Sequence, residues 1–418
     1  MKKLRKGLAF LVLSCVLVGI VSTLCFTAYF WLKGFQNPEV VQSPQAKAAS
    51  LPTTILVLGV DSGVDSNGHV IREPLKSHTR SDTMMLVSLD QAENRIGVLS
   101  VPRDTRVQIP GRSGYEKIAH ANAYGGPALA MKTVEALLEV PVDFYVRIDF
   151  MGFKALVDAL GGVEMTIPQQ LDYEDPYQNL YIHIKAGKQL LNGEKALQVI
   201  RYRQYPNGDI GRIEMQQKFI QALMNKLFQL ETLSRLPAIQ REMVKYVDTN
   251  MSPSDMVRLM MMAKQAKEYN LETGILPGEP AFITDSSGAA ISYWVVNKSS
   301  AQKVVDKTVR GIDHDANAKY RVSVVDASGT GGNGKKLERL LASQGFNVVP
   351  SEEVWSKEPQ EFTVLVQNSN RTEAFKAVER SVLYCCEDVR TRRKISDDPP
   401  VDVTIILGKN FSTAVGGR

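Results

Sequence analysis

Four short segments of the chain combine aspartate and arginine at close spacing. They are Leu58-Gly59-Val60-Asp61, Arg80-Ser81-Asp82-Thr83, Val101-Pro102-Arg103-Asp104-Thr105, and Arg201-Tyr202-Arg203 followed by Asp209-Ile210-Gly211-Arg212. In an extended segment, residues two apart point the same way, so Arg80 shares a face with Asp82, and Arg201 with Arg203. Arg212 and Gln216 are four apart and share a helix face. Guanidinium forks suit phosphate oxygens and keep their charge. Two carboxylates at strand ends suit Mg²⁺, which takes a few carboxylates plus substrate phosphates. Together the segments describe a diphosphate-plus-magnesium constellation. The alternative is a set of surface salt bridges, and spacing alone leaves open whether the segments converge.

The elements that must position these residues can be read along the chain. Its 418 residues predict two or three domains. A net charge of +5 is too small at this length for a non-specific nucleic-acid binder. Four Cys and five scattered His give neither a disulfide scaffold nor a zinc motif. Residues 1–6 form a basic tail, and 7–32 carry no charge, long enough to cross a bilayer and too long for a signal-peptide h-region. The basic flank predicts a signal-anchor with the N-terminus in the cytoplasm and everything after Leu32 outside. Residues 33–52 read as a tether rich in Pro, Gln, Ala and Ser.

From 53 to 311, strands alternate with helices, which predicts an α/β layer structure with helices on both faces. Ile55 to Val60 reads as a buried strand that delivers Asp61 to a site. Pro127 to Leu138 and Ile210 to Leu230 read as helices, with further helices near 234–246, 253–267 and 297–310. Residues 312–319 are a polar linker. Residues 320–408 follow the order β-α-β-β-α-β, read as a small α+β split-βαβ domain, and 409–418 form a tail. Gly329 to Lys336 imitates a nucleotide loop, but Lys336 stands where a metal-binding Ser or Thr is needed, and a tight β–α turn explains it better. The run Arg390, Arg392, Arg393, Lys394 reads as a solvated loop.

The chain resembles the LytR-CpsA-Psr family of envelope proteins. The resemblance rests on Leu58-Gly59-x-Asp61, Arg80 to Met85, Pro102 to Thr105, Lys117-Ile118, Tyr124-Gly125-Gly126, Val157 to Val163, Leu191 to Leu197, Arg201-x-Arg203 and Asp209 to Arg212. These motifs span roughly residues 53–230 in order, behind an anchor in the expected place. Residues 320–408 resemble, more loosely, the LytR-type C-terminal domain that some members carry. Met215-Gln216 departs from the Arg-Gln usual in the family, and His120-Ala121-Asn122 departs from its Lys-Ile-Asn pattern.

The resemblance implies a central mixed sheet and an extracytoplasmic phosphotransferase. Such an enzyme moves a glycopolymer from a polyprenyl-diphosphate carrier to peptidoglycan. It implies Asp61 and Asp82 as the Mg²⁺ ligands. It implies Arg80, Arg103, Arg201, Arg203 and Arg212 gripping the diphosphate with Gln216 beside them, and Asp61, Asp82, Arg201 and Arg203 as the catalytic set. The lipid tail would lie in an apolar tunnel between sheet and helices. The other readings are a non-catalytic lipid-glycan binder or regulator, and a hydrolase that passes the phosphoryl group to water. No helix-turn-helix or basic DNA face supports a nucleic-acid partner. Protease added to intact spheroplasts should degrade 53–418 and leave only an anchor fragment. Full protection of the C-terminal part would contradict the outside location.

Overall fold

The computed structural model describes residues 51–60, 79–176, 180–206, 208–227, 229, 247–252, 254–256, 258–259, 270–284, 288–350, 359–386 and 388–412. The apolar run 7–32, Asp61 and most of the segments 234–246 and 253–267 lie outside them. No helix of the described residues is long and apolar enough to cross a membrane.

The apolar run before Asp61 forms β1, Thr53–Val60. It is followed by β2 (Ser81–Asp90), β3 (Arg95–Ser100), β4 (Arg106–Val107) and β5 (Glu116–Lys117). Helix α1, His120–Leu138, is kinked at Gly125 and Gly126, where Gly126 takes φ 65°, and Pro127 reopens the helix after the kink. Next come β6 (Phe144–Asp149), α2 (Phe150–Ala159), β7 (Val163–Ile167), β8 (Leu171–Asp175), β9 (Leu180–Ile184) and β10 (Gly187–Leu191). Helices α3 (Gly193–Arg201) and α4 (Asp209–Leu227) follow. Then come β11 (Val247–Thr249), β12 (Asn270–Ile275), β13 (Gly278–Thr284), β14 (Ala290–Val296) and α5 (Lys298–Val305), which runs into one π-helical turn, Asp306–Arg310.

The central sheet has the order β11-β6-β1-β2-β3-β12 and is mixed: β1 runs parallel to β6 and antiparallel to β2. Alternation along the strands sends Leu56, Leu58, Leu86 and Leu99 to one face, where α1 and α5 cover them. Met85 and Val98 go to the other face, where Ile220 and Met224 of α4 pack. Helices therefore lie on both faces, as expected. Gly97 in β3 permits the π-helical turn to approach, since a Cβ there would stand 1.8 Å from the Thr308 carbonyl oxygen.

Residues 312–319 carry a short helix, α6 (His314–Asn317), with Ile312 and Asn317 buried. Beyond them stand β15 (Arg321–Asp326), α7 (Asn333–Ser343), β16 (Asn347–Val348), β17 (Thr363–Gln367), α8 (Thr372–Leu383), β18 (Val389–Arg393) and β19 (Val403–Leu407). Their sheet has the order β16-β15-β19-β17-β18. This corrects the split-βαβ expectation. β15 and β16 are parallel neighbours, as are β17 and β18, so neither βαβ unit is split by an inserted strand. Most of the basic run is not a loop either: Arg390, Arg392 and Arg393 lie in the edge strand β18, with Lys394 just beyond it, and the exposed arginines keep an unpaired edge polar. The glycine-rich turn is closed from within, because the Asp326 carboxylate accepts the Gly334 N–H at 2.8 Å at the start of α7.

The smaller domain docks on the first through charge. Arg380 of α8 pairs with Asp90, whose side chain is 1% exposed, and its second nitrogen lies 3.6 Å from Glu93. Arg310, Asp306 and His314 form a buried network beside this contact. Removing one partner of a buried ion pair leaves the other charge uncompensated. Arg380→Ala should therefore lower unfolding stability in urea by about 3 kcal/mol. A chain ending at Gly311 should fold with a similar loss. Unchanged midpoints would show that the contact adds no stability.

Candidate functional site

Asp82 owes its position to an irregularity in the sheet. Gly59 pairs with Thr83 and Val60 with Ser81, so the β1–β2 ladder skips Asp82. Such bulges re-aim a side chain. Arg103 sits on a tight turn between Val101 and Thr105. The buried Thr105 closes it, donating both its N–H (3.0 Å) and its hydroxyl (2.6 Å) to the Pro102 carbonyl. The Arg103 guanidinium pairs with Asp82 and lies 3.6 Å from Asp104, which in turn holds Lys117 at 2.7 Å.

Opposite this pair stand α3 and α4. The Asn192 side chain caps α3, accepting the Lys195 N–H at 3.0 Å, and the Asp158 carboxylate accepts the Gly193 N–H at 2.8 Å. Two of the motif segments are thus explained by helix capping and docking. Arg201 is the last residue of α3, and its guanidinium lies 4.8 Å from the Phe150 ring centre. This corrects the extended-segment expectation, because the chain turns out of the helix only at Tyr202. Tyr202 is buried and meets Tyr205 edge-to-face at 4.9 Å, so the segment bearing the exposed Arg203 is pinned on both sides. Burial pushes the Tyr205 phenol well above its ordinary range, which keeps it neutral. Arg212 and Gln216 are both buried on α4. Gln216 donates to the Ile200 carbonyl at 3.1 Å, a group left open by the end of α3.

These residues meet in one open cavity of about 280 Å³. Asp82, Arg103, Arg201, Arg203, Arg212 and Gln216 all line it. Its apolar wall comes from Phe150, Tyr173, Leu180 and Ile200. Sequence reasoning did not single out any of these four. The β9 alternation, with Leu180, Ile182 and Ile184 buried and their neighbours exposed, was the available signal. Arg80 is exposed and is not among the lining residues. Asp61 lies outside the described residues. Met215, at the position of the departure, is buried in an apolar cluster with Phe219 and Leu223.

Among the described residues, no three His, Cys, Asp or Glu side chains gather as a complete metal-ligand set. Asp82 is the one carboxylate among the described lining residues. Such a donor set suits a hard cation that draws its other ligands from phosphate and water, and does not suit a protein-only cage. With four guanidinium groups against one carboxylate, the cavity is built for an anion carrying an apolar extension.

A model of the LytR_cpsA_psr family matches residues 34–310. A second model, described as LytR cell envelope-related transcriptional attenuator, matches residues 319–411. An uncharacterized protein of Staphylococcus aureus is 34% identical over 252 residues, 60% of this chain and 60% of that relative's length. A Bacillus cereus protein named polyisoprenyl-teichoic acid–peptidoglycan teichoic acid transferase TagU is 31% identical over 277 residues, 66% of this chain and 84% of that protein. The crystal structure of TagV from B. subtilis aligns with a TM-score of 0.52 at 27% identity, covering 62% of this chain and 96% of that one.

Proposed function

The chain belongs to the LytR-CpsA-Psr family, and from that premise we propose that it is a cell-wall polymer ligase. It would move a glycopolymer from a polyprenyl-diphosphate carrier to peptidoglycan, leaving a phosphodiester link, as a membrane-anchored enzyme acting outside the cell. The activity for which the B. cereus relative is named supports the reaction class. The reading rests on one observation: Asp82, Arg103, Arg201, Arg203 and Arg212 border the same cavity, beside an apolar wall.

Phosphoryl transfer asks a protein mainly for positioning and charge stabilisation. Arg201 and Arg203 would fork onto the non-bridging oxygens, and Arg103 and Arg212 would neutralise the rest of the diphosphate. Gln216 would hold the end of α3, and so Arg201, in place. Leu180, Ile200 and Tyr173 would receive the first isoprenoid units. Asp61 and Asp82 are the residues that would hold Mg²⁺. Bound there with the substrate phosphates, the ion would supply offsetting positive charge. Arg80, off the cavity wall, would act at longer range.

Losing one such donor typically costs about 100- to 1000-fold in rate. Arg201→Ala and Arg203→Ala should each reduce transfer by about that factor with thermal stability unchanged. Transfer would be measured with a short-chain lipid-diphosphate glycan and peptidoglycan oligomers, by mass spectrometry of the acceptor. Arg201→Lys should not restore it, because a point charge cannot reproduce a fork. Asp82→Ala should also weaken Mg²⁺ dependence, and Arg392→Ala on β18 should change transfer by less than about 3-fold. Wild-type rates from the Arg201 and Arg203 variants would place the diphosphate elsewhere. Release of free glycan phosphate without an acceptor adduct would favour a hydrolase.

A further inference from the structure

A second group of side chains beside the cavity has no task in the reaction as described so far. Glu116, in β5, gathers three partners. Its Oε1 accepts from Arg112 at 3.1 Å, while its Oε2 meets His120 Nδ1 at 3.0 Å and accepts the Tyr124 hydroxyl at 2.5 Å. The His120 and Tyr124 rings stand edge-to-face at 5.7 Å, and Arg112 covers one face of Tyr124 at 3.8 Å. Next to them, Arg106 lies 3.8 Å from the Tyr115 ring centre. Burial raises the Glu116 pKa, but hydrogen bonds from Tyr124, His120 and Arg112 outweigh it and hold the carboxyl below its ordinary value. The carboxylate therefore stays charged and orients the imidazole. With Nδ1 engaged, Nε2 is the ring atom that can meet a ligand.

Arg103 joins this cluster to the cavity. Its side chain reaches Asp82, and its carbonyl accepts the N–H of Ala119, the residue before His120, at 3.1 Å. Ser81, next to Asp82, donates its N–H to the Ala119 carbonyl at 3.4 Å. The apolar wall of the cavity comes from other elements, α2, β8, β9 and α3. The cluster thus adjoins the cavity on its Asp82–Arg103 side. Tyr115 is 53% and Tyr124 42% exposed. Half-apolar rings among fixed donors and acceptors fit a sugar, whose C–H faces lie on aromatic rings while its hydroxyls take hydrogen bonds.

We propose that this cluster is the acceptor site, where Tyr115, Tyr124 and Arg112 bind a sugar of the acceptor glycan and His120 Nε2 takes the proton of the attacking hydroxyl. The proposal rests on the transferase reading above. The hydroxyl oxygen forms a bond to the glycan-bearing phosphorus. The bond from that phosphorus to the bridging oxygen breaks, and polyprenyl phosphate leaves with the electron pair. The proton passes to His120 and from it to water. Glu116 is a positioning residue that fixes the tautomer and the ring plane, as a carboxylate does for a catalytic histidine.

The test uses the full chain in detergent. Farnesyl-diphospho-N-acetylglucosamine serves as donor and muramidase-released peptidoglycan fragments as acceptor, with donor binding followed separately by calorimetry. His120→Ala should bind donor within about 2-fold of wild type and lose about 100-fold or more in kcat. Added imidazole should recover at least about tenfold of that loss, which a structural role would not allow. Glu116→Gln should lower kcat without imidazole rescue, and Tyr115→Ala should raise the acceptor KM with little change in kcat. Wild-type kcat in His120→Ala, or a loss that imidazole does not touch, would overturn the acceptor site while leaving the transferase reading intact. A wild type that binds donor and forms no adduct would overturn both. Arg201→Ala separates the two sites, since it should lose donor binding itself.

Discussion

Four guanidinium groups, those of Arg103, Arg201, Arg203 and Arg212, border one cavity whose described lining holds a single carboxylate, Asp82. Like charges about 8 Å apart repel by about 2 kcal/mol per pair at an effective dielectric of about 20. A chain keeps such groups together only if each is braced by something other than its neighbours. The braces are visible. Thr105 closes the turn beneath Arg103, Gln216 ties α4 to the end of α3 beside Arg201, and the Tyr202–Tyr205 contact pins the segment carrying Arg203. Arg212 is itself buried on a 19-residue helix. The repulsion held in this way is relieved by an anion, which makes the cavity selective for one.

The rest of the first domain follows from that constraint. The break in the β1–β2 ladder turns Asp82 towards Arg103, and the antiparallel pairing of β2 with β3 brings the start of β2 and the turn after β3 to one edge of the sheet. Sheet and helices bury Leu56, Leu86 and Leu99 on one face and Met85 and Val98 on the other, so the strands that carry the site are anchored on both sides. The smaller domain reaches the opposite end of β2 through the Arg380–Asp90 pair. One strand therefore carries the site at its start and the domain contact at its end.

Much of this was legible in the sequence because it rests on local chemistry. The apolar run before Asp61 became β1, and Pro127 opened a helical segment after two glycines. Convergence of the arginines was not legible, since α3 and α4 reach the site through packing that no spacing records. The helical backbone of Arg201 was not legible either, because a two-residue period near a helix end cannot distinguish the last helical residue from an extended one. The lining residues Phe150, Tyr173, Leu180 and Ile200 carry no chemical signal and are recruited by tertiary position. In the smaller domain, the sequence order of the other elements was legible, but β18 was not, and strand order depends on long-range pairing. The basic run became an edge strand because β17 offers it a parallel neighbour.

A crystal structure of the protein with a farnesyl-diphosphate-linked sugar tests the site most directly. The diphosphate should lie between Arg103 and Asp82 on one side and Arg201 and Arg203 on the other, with the first isoprene units against Leu180 and Ile200. A ligand bound away from this cavity, with Arg201 and Arg203 making no contact to phosphate oxygens, would contradict it.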